Sequence, residues 1–280
     1  MSAYVMFLKI FNEVIATKNK EDYNHNKLGE TKYNNKNCLM KIIEFNNRYD
    51  IVVEFQDKYK GRVHTNYQAF SCGQVKNPYL ASVVGIGVTG NKYPTRINRK
   101  PVKEYVSWIH MIKRCYDERY RDKNRTYNEC FICEDWLIYE NFYEWLHSQP
   151  NFEKWLCGER WNIDKDILIK GNKMYSPETC CLVSSGVNSL FTKSDARRGS
   201  LPIGVSKVKN RNGYSALCHN PFTNKQEYLG YYKSIKSAFR AYKKRKEEII
   251  KLVAEFEFNQ GNITKKCYDA MMSYEVEITD

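Results

Sequence analysis

The sequence predicts an α+β protein built from short groups of strands and separate amphipathic helices. Two β-rich runs occur at residues 40–45 and 50–55, joined by a turn-like Asn-Asn-Arg segment. Apolar residues then recur at helical spacing over residues 105–119. Residues 199–253 indicate three short strands followed by a helix. The length of 280 residues fits two or three small domains of this kind.

The sequence argues against two classes of protein. The longest apolar stretch, residues 4–11, is interrupted by Lys9 and falls far short of the roughly 20 residues that a membrane span needs. The N-terminus also lacks the basic start and the small-residue cleavage site of a signal peptide. We therefore expect neither a membrane protein nor a secreted disulfide scaffold, and we expect the chain to act in the cytoplasm.

The charge of the chain indicates a polyanionic partner. There are 45 Lys and Arg residues against 32 Asp and Glu, a net charge of +13. Residues 201–253 contain twelve of the basic residues and only three acidic ones, whereas the chain from residue 254 onward is acidic. Such a concentration of positive charge is typical of a surface that contacts nucleic acid.

We predict four regions along the chain. The first begins with a helix over residues 4–16, where Val5, Leu8 and Ile15 recur at near-helical spacing, and continues as short strands over residues 38–80. The predicted boundaries are 1–100 for this N-terminal region, 101–195 for a central domain, 196–255 for a basic strand-and-helix module, and 256–280 for an acidic C-terminal tail.

The central domain is predicted to begin with two helices. The apolar positions of the first are Trp108, Met111, Ile112 and Cys115, and those of the second are Trp136, Phe142, Trp145 and Leu146. Large aromatic residues at this spacing usually form a core. The basic residues Lys113 and Arg114 fall on the opposite, polar face of the first helix.

A β-hairpin and a helix are predicted to follow. A strand from Trp161 ends in Asp164 and Asp166, a Gly-Asn turn lies at residues 171–172, and a helix is predicted from Ser176, with Asn188 near its end. A carboxylate on the first strand and an asparagine on the helix can hold one divalent cation through oxygen ligands.

Cysteine placement allows a second kind of metal site. Ten cysteines are scattered along the chain, and Cys130 and Cys133 form a Cys-x-x-Cys pair. If the helices fold back on the hairpin, Cys115 and Cys180 complete four thiolates for a structural Zn²⁺. The alternative is that these are free, buried thiols in a reducing cytosol.

Residues 104–193 resemble the HNH-type homing endonucleases of bacteriophages. The motifs that carry the resemblance are Trp108-x2-Met111-x2-Arg114-Cys115-Tyr116, Cys133-Glu-Asp-Trp136, Phe142, Ile163-Asp164-Lys165-Asp166, Asn172, Tyr175-Ser-Pro-Glu-Thr-Cys180 and Asn188. The resemblance implies a ββα-metal fold that binds one Mg²⁺ or Mn²⁺ and hydrolyses DNA phosphodiesters. It also implies that Asp164 and Asn188 hold the metal and that Asn172 positions the catalytic groups.

The chain departs from this family at Lys165. The family usually has a histidine there, which acts as the general base on the attacking water, and all five histidines of this chain lie outside the hairpin. Lysine is protonated at neutral pH and is a poor base unless strongly desolvated. Two alternatives follow: either Asp164 or Asp166 takes over the duties of the base, or the domain is catalytically silent.

The C-terminal module resembles the Apetala-type DNA-binding domain of plant ethylene-response factors. The resemblance is carried by Gly204-Val205, Gly213-Tyr-Ser-Ala216, Tyr228-Leu-Gly230 and Ala238-Phe-x-Ala-Tyr242. It implies a three-stranded sheet in the major groove of DNA and a helix with Ser234 as its N-cap. The candidate DNA contacts are Lys207, Lys209, Arg211, Tyr214 and Lys225, with Arg114 from the central domain. Tyr228 is predicted to pack under the helix, and the lysines of 243–246 to face solvent.

Together these patterns predict a phage homing endonuclease that acts in the infected bacterial cell. The strands of residues 38–80 resemble a small β-barrel-like module found ahead of HNH domains in phage proteins. The rival hypothesis, favoured by Lys165, is a catalytically inactive descendant of such a nuclease that binds and inhibits a bacterial defence complex. The sequence leaves the oligomeric state open.

Overall fold

The computed structural model describes residues 27–192, 200–209 and 211–280, and the predicted helix at residues 4–16 lies outside them. Helices and small, mostly antiparallel sheets occur in separate groups along the chain, which confirms the α+β class. The chain forms two compact units. The first runs to Asn98 and includes residues 138–140, and the second comprises 99–137 and 141–280.

The first unit contains a four-stranded antiparallel sheet in the order β1-β2-β3-β4. Its strands are β1 (Thr31–Tyr33), β2 (Leu39–Asn47), β3 (Asp50–Phe55) and β4 (Arg62–Thr65), followed by the short helix α1 (Tyr67–Ser71). The two β-rich runs predicted from the sequence are β2 and β3. Within the described residues the sheet is open, so the barrel-like module predicted here is wrong: β1 and β4 form its two edges. Met40, Ile42, Val53 and Phe70 are among the residues of its core.

Two-residue strands, β5 (Arg96–Ile97) and β6 (Lys100–Pro101), precede a group of helices. These helices are α2 (Lys103–Tyr116), α3 (Glu118–Lys123), α4 (Tyr139–His147) and α5 (Phe152–Leu156), with 3-10 turns at Arg125–Tyr127 and Glu134–Leu137. The predicted apolar face of α2 is confirmed, because Trp108, Met111, Ile112 and Cys115 are all buried. Trp108 donates a hydrogen bond of 2.7 Å from Nε1 to the carbonyl oxygen of Trp136.

The predicted hairpin and helix are present, but the helix begins later than predicted. Strand β8 (Trp161–Asp164) pairs antiparallel with β10 (Cys181–Ser184), and α6 (Ser185–Leu190) follows directly. The predicted helix start at Ser176 is wrong, because the N–H groups of residues 179 and 180 donate to the Ser176 carbonyl in a tight turn. The apolar residues after that turn continue as β10. The short strands β7 (Phe131–Ile132) and β9 (Met174–Tyr175) pair in parallel.

The predicted three strands and helix of the C-terminal module are confirmed. Strands β11 (Val205–Lys207), β12 (Tyr214–Asn220) and β13 (Lys225–Tyr232) form an antiparallel sheet in that order. Helix α7 (Ile235–Asn259) follows, with the Ser234 hydroxyl accepting from the N–H of Ser237. Tyr228 was predicted to lie under this helix, but it is 65% exposed because its strand position faces away from α7. Of the lysines predicted to face solvent, Lys246 is half-buried, and burial lowers its pKa.

Residues 256–280 are folded into the second unit and do not form a free tail. They include the end of α7 and helix α8 (Lys265–Met272), and Cys267 and Met271 of α8 are fully buried. These residues belong to an apolar cluster that also contains Val183 of β10, Val187 of α6 and Ala216 of β12. The central hairpin and the C-terminal module therefore share one core.

No helix among the described residues combines the length and the apolar character needed to cross a membrane.

An acid-sensitive ion pair fastens the C-terminal sheet to its helix. Arg245 of α7 donates from Nε and Nη2 to the two carboxylate oxygens of Glu227 on β13, at 2.6 and 2.9 Å. The hydrogen bond to Arg245, helped by one from Asn220, lowers the pKa of Glu227 to about 2. The pair therefore contributes stability above the ordinary carboxyl pKa, and this contribution is lost as the pH falls toward 2.

We predict that Glu227→Gln lowers the thermal unfolding midpoint at pH 6 and that the gap to the parent closes as the pH approaches 2. Glu248→Gln is the matched control, since Glu248 meets the same arginine through one longer contact of 3.3 Å. Melting curves between pH 6 and pH 2 test this. A gap that stays constant over that range would contradict the assignment.

Candidate functional site

The residues predicted from the hairpin gather around one cleft of about 540 Å³ in the second unit. Strand β8 and the loop after it contribute Asp164, Lys165 and Asp166, and helix α6 contributes Asn188. The remaining charged residues on its wall are Arg114, Lys170 and Lys173. Four cationic side chains and two carboxylates therefore border a single space, an arrangement suited to a phosphate group and a cation together.

Asp164 is fixed at the end of β8 by the backbone that follows it. Its Oδ1 accepts the N–H groups of Asp166 at 2.7 Å and Ile167 at 2.8 Å. Burial raises the pKa of Asp164, against the opposing effect of these two hydrogen bonds. Its Oδ2 has no hydrogen-bond partner in the part of the chain that the structure describes. A carboxylate oxygen without a hydrogen-bond donor is a suitable ligand for a cation.

Lys165 is held in place by the loop and faces Asp166. Its Nζ donates to both carboxylate oxygens of Asp166, at 2.9 and 2.8 Å, and to the carbonyl oxygen of Asn172 at 2.8 Å. Only 11% of the side chain is exposed. With its ammonium hydrogens directed to three oxygens, Lys165 organises the loop and is poorly placed to accept a proton.

Asn172 closes the loop from the other end. Its Nδ2 donates to the carbonyl oxygens of Lys165 at 2.9 Å and Met174 at 2.6 Å, and its Oδ1 accepts from the N–H of Met174 at 3.1 Å. Since both ends of the amide are engaged, Asn172 acts as a positioning residue for Lys165 and Asp166.

Asn188 lies in the second half of α6 and lines the cleft, with no side-chain hydrogen bond to another described residue. Asp164 and Asn188 both line the cleft, and carboxylate and amide oxygens are the ligand type that Mg²⁺ and Mn²⁺ favour. No group of three or more His, Cys, Asp or Glu residues that could hold a metal ion is found in the described residues. A cation held by these two side chains alone would take most of its ligands from water.

The four cysteines predicted as zinc ligands are likewise not gathered into such a group within the described part of the chain. Burial raises the pKa of the Cys115 and Cys180 thiols to about 12 and also raises that of Cys130 and Cys133. Thiols with raised pKa values are inert and behave as small apolar side chains.

Arg114 corrects the prediction for the polar face of α2. It is half-buried and lines the cleft, whereas its neighbour Lys113 is exposed. Hydrogen bonds to the hydroxyls of Tyr175 and Tyr120 hold its guanidinium, which lies 5.7 Å from the ring centre of Tyr127. Burial raises the pKa of Tyr175 far above its usual value, so this hydroxyl stays protonated.

The C-terminal segment borders the same cleft, which the sequence did not predict. Tyr274 lines it and meets Phe191 edge-to-face at 4.8 Å. Lys170 donates to Asp280 at 2.7 Å and to the carbonyl oxygen of Glu275 at 3.0 Å. Charge pairing between the hairpin loop and an acidic segment over 100 residues later has no local signal in the sequence.

The candidate DNA contacts of the C-terminal module fall into two groups. Lys209 and Arg211 are exposed between β11 and β12, and Lys207 and Lys225 are exposed at strand ends. Tyr214 is different, because it pairs with Lys207 and Tyr232 and packs against the shared core. Its ring is therefore partly engaged in packing, and its contact with DNA stays a prediction.

The sheet face opposite α7 carries the exposed aromatic residues. Cross-strand pairing places Ser215 beside Tyr231, Leu217 beside Tyr228, and His219 beside Gln226 on this face. Tyr228 and Tyr231 are 65% and 39% exposed. The exposure of Tyr228 was not predicted from the sequence, because a β-bulge after Ala216 shifts the register of β13.

Comparison with known proteins identifies no relative: no family model, curated protein or solved structure matches this chain.

Variants of Asn172 and Asn188 test which of the two asparagines stabilises the loop. We predict that Asn172→Ala lowers the free energy of unfolding by about 1–3 kcal/mol, because the Lys165 carbonyl oxygen loses its donor and the Met174 N–H loses its acceptor, while the Met174 carbonyl oxygen keeps only the Thr179 hydroxyl. Asn188→Ala removes no side-chain hydrogen bond among the described residues and should change stability by less than about 0.5 kcal/mol. Urea unfolding of both variants measures this. Equal destabilisation by the two would show that Asn172 does not organise the loop.

Proposed function

We propose that this chain is a phage HNH-type DNA endonuclease that hydrolyses phosphodiester bonds with the help of one divalent cation. The observation that carries the proposal is that Asp164 and Asn188 line one cleft on a strand–strand–helix unit together with Arg114, Lys170 and Lys173. Oxygen ligands and phosphate-binding cations are the two requirements of metal-assisted phosphodiester hydrolysis.

Asp164 and Asn188 would hold Mg²⁺ or Mn²⁺. When bound, such a cation supplies Lewis-acid stabilisation of the charge that develops on the phosphate. The hydrogen bonds that fix Oδ1 of Asp164 orient its other oxygen before the substrate arrives. Arg114, held by tyrosine hydroxyls, would bind a non-bridging phosphate oxygen through its fixed donors.

In the absence of a histidine at the hairpin, Asp166 is the group we assign to accept a proton from the attacking water. Its side chain is 47% exposed and lines the cleft. Lys165 holds both of its oxygens and in turn is held by the carbonyl of Asn172. The three residues form one unit in which Lys165 and Asn172 position the carboxylate.

We further propose that the C-terminal sheet directs the chain to DNA. Its open face offers tyrosine rings and polar side chains, and Lys209 and Arg211 extend beside it. Phosphate contacts from such basic residues set affinity and register, while residues on the sheet reach base edges.

A second candidate is a non-catalytic protein that binds and inhibits a bacterial defence complex. The observation in its favour is Lys165, which stands where the family has a histidine base. Its ammonium donates to both carboxylate oxygens of Asp166. An inhibitor held by protein contacts should bind its partner with little dependence on salt, unlike a DNA-binding protein.

Cleavage of supercoiled plasmid tests the first candidate. We predict nicking with Mg²⁺ or Mn²⁺ and none with EDTA. Asp164→Asn should abolish nicking, because it keeps the Oδ1 acceptor for the two N–H groups but removes the charge that binds the cation. Asp164→Ala should be equally inactive, and both variants should still bind DNA.

The control is Asp269→Asn, since Asp269 pairs with Lys265 on α8 and does not line the cleft. If Asp164→Asn cuts as fast as the parent, the site assignment is wrong. A parent that shifts plasmid on a gel without nicking it would exclude the nuclease and leave a DNA-binding protein; neither nicking nor shifting would favour the inhibitor.

Salt dependence tests the role of the C-terminal module. We predict that Lys209→Ala combined with Arg211→Ala weakens binding to duplex DNA. The slope of log affinity against log salt should fall by about one for each phosphate that is no longer neutralised. Lys58→Ala, a change at an exposed lysine of the first unit, is the comparison. An unchanged slope in the double variant would place the DNA elsewhere.

A further inference from the structure

A second pocket, which we call the aromatic pocket, adjoins the cleft in the same unit. It encloses about 130 Å³. Among its aromatic residues Trp161 is half-buried, while Trp155 and Tyr175 are buried, and its polar residues are Ser107, Arg114 and Asn162. Arg114, Asn162, Ile163 and Tyr175 line both the pocket and the cleft, so the two spaces share a wall.

The sequence builds one side of the pocket from a single stripe of α2. Ser107, Met111 and Arg114 are four and three residues apart, which puts them on the same helix face. The other side comes from Trp155 at the end of α5 and Trp161 at the start of β8. Cations lie over both indole rings: Lys103 Nζ is 4.3 Å from the centre of Trp155, and Lys154 Nζ is 5.8 Å from that of Trp161.

Polar atoms in the pocket retain capacity for hydrogen bonds. Asn162 donates from Nδ2 to the Ser185 hydroxyl at 2.9 Å, while its Oδ1 accepts no hydrogen bond from the described residues. The Ser107 hydroxyl is likewise without a partner in the part of the chain described. A donor or acceptor beside an aromatic wall is the combination that reads the edge of a stacked base.

We propose that the aromatic pocket takes a nucleobase from the DNA strand whose phosphate lies in the cleft. A nucleotide joins an anionic phosphate to a planar base, and here a cationic space and an aromatic space share Arg114. A base inside a duplex is stacked on its neighbours and cannot enter, so the bound base must be unpaired. This inference rests on the proposed binding of DNA in the cleft and adds a preference for an unstacked nucleotide beside it.

Binding of two small phosphates tests the proposal without requiring cleavage. The probes are deoxyadenosine 5′-monophosphate and 2-deoxyribose 5-phosphate, which differ only by the base, with affinities measured by calorimetry on the full chain. We expect the nucleotide to bind on the order of tenfold more tightly. Trp161→Ala should reduce this ratio below about threefold, and Trp161→Phe should restore most of it.

A second pocket variant and a control variant distinguish loss of the pocket from misfolding. Ser107→Leu fills the pocket from α2 and should lower the affinity for the nucleotide while leaving that for the sugar phosphate unchanged. Phe222→Ala removes an exposed ring that does not line the pocket and should preserve the full ratio.

The outcomes separate this proposal from the one before it. Equal binding of both probes to the parent, or a tenfold ratio that survives in Trp161→Ala and Ser107→Leu, overturns the nucleobase pocket and leaves the phosphate cleft standing. If neither probe nor duplex DNA binds, the proposed DNA-binding function fails and the nucleobase pocket fails with it.

Discussion

Placement of the candidate site depends on one buried apolar core. That core joins β10 and α6 of the hairpin unit to the C-terminal sheet and to α7 and α8. Cys181 of β10 hydrogen-bonds to Cys267 of α8, and this contact together with burial raises the pKa of the Cys181 thiol well above its usual value. Because Cys181 pairs directly with Asp164 across the hairpin, the packing that anchors β10 also fixes the position of the carboxylate.

Hydrogen bonds of polar groups also fix the shape of the loop after β8. Its backbone N–H groups orient Asp164, and Asn172 and Lys165 bind each other through carbonyl oxygens. Side chains that bond to nearby backbone give an irregular loop a defined shape without a helix or a sheet. The charged groups of the cleft are thus set before any ligand binds, which is the general requirement for electrostatic stabilisation of a reaction.

Local patterns in the sequence predicted the strands, the Ser234 cap, and the grouping of Asp164, Lys165 and Asn172. Each of these depends on neighbours within a few residues. The late start of α6 was missed because Ser176-Pro-Glu is also a good turn, and the tertiary choice between the two is not local. The burial of Tyr228 was predicted wrongly because a single β-bulge changes which face of the sheet it lies on. The barrel-like module was predicted wrongly because no short sequence pattern shows whether a sheet closes on itself.

Contacts between residues far apart along the chain could not be predicted from the sequence. The pairing of Lys170 with Asp280, and the burial of Cys267 and Met271 in what reads as an acidic tail, emerge only when distant segments meet. Arg114 shows the same limit on a smaller scale, since helical periodicity assigns it to a polar face without revealing that a cleft lies there.

The shared core has a consequence for where on a substrate the chemistry would occur. Two modules joined by a flexible tether can act over a range of separations, as tether length allows. Here the sheet and the hairpin pack on the same core side chains, so the distance between them is fixed. In the proposed function, a DNA strand held by the sheet would reach Asp164 at a constant number of nucleotides from the bases that the sheet contacts.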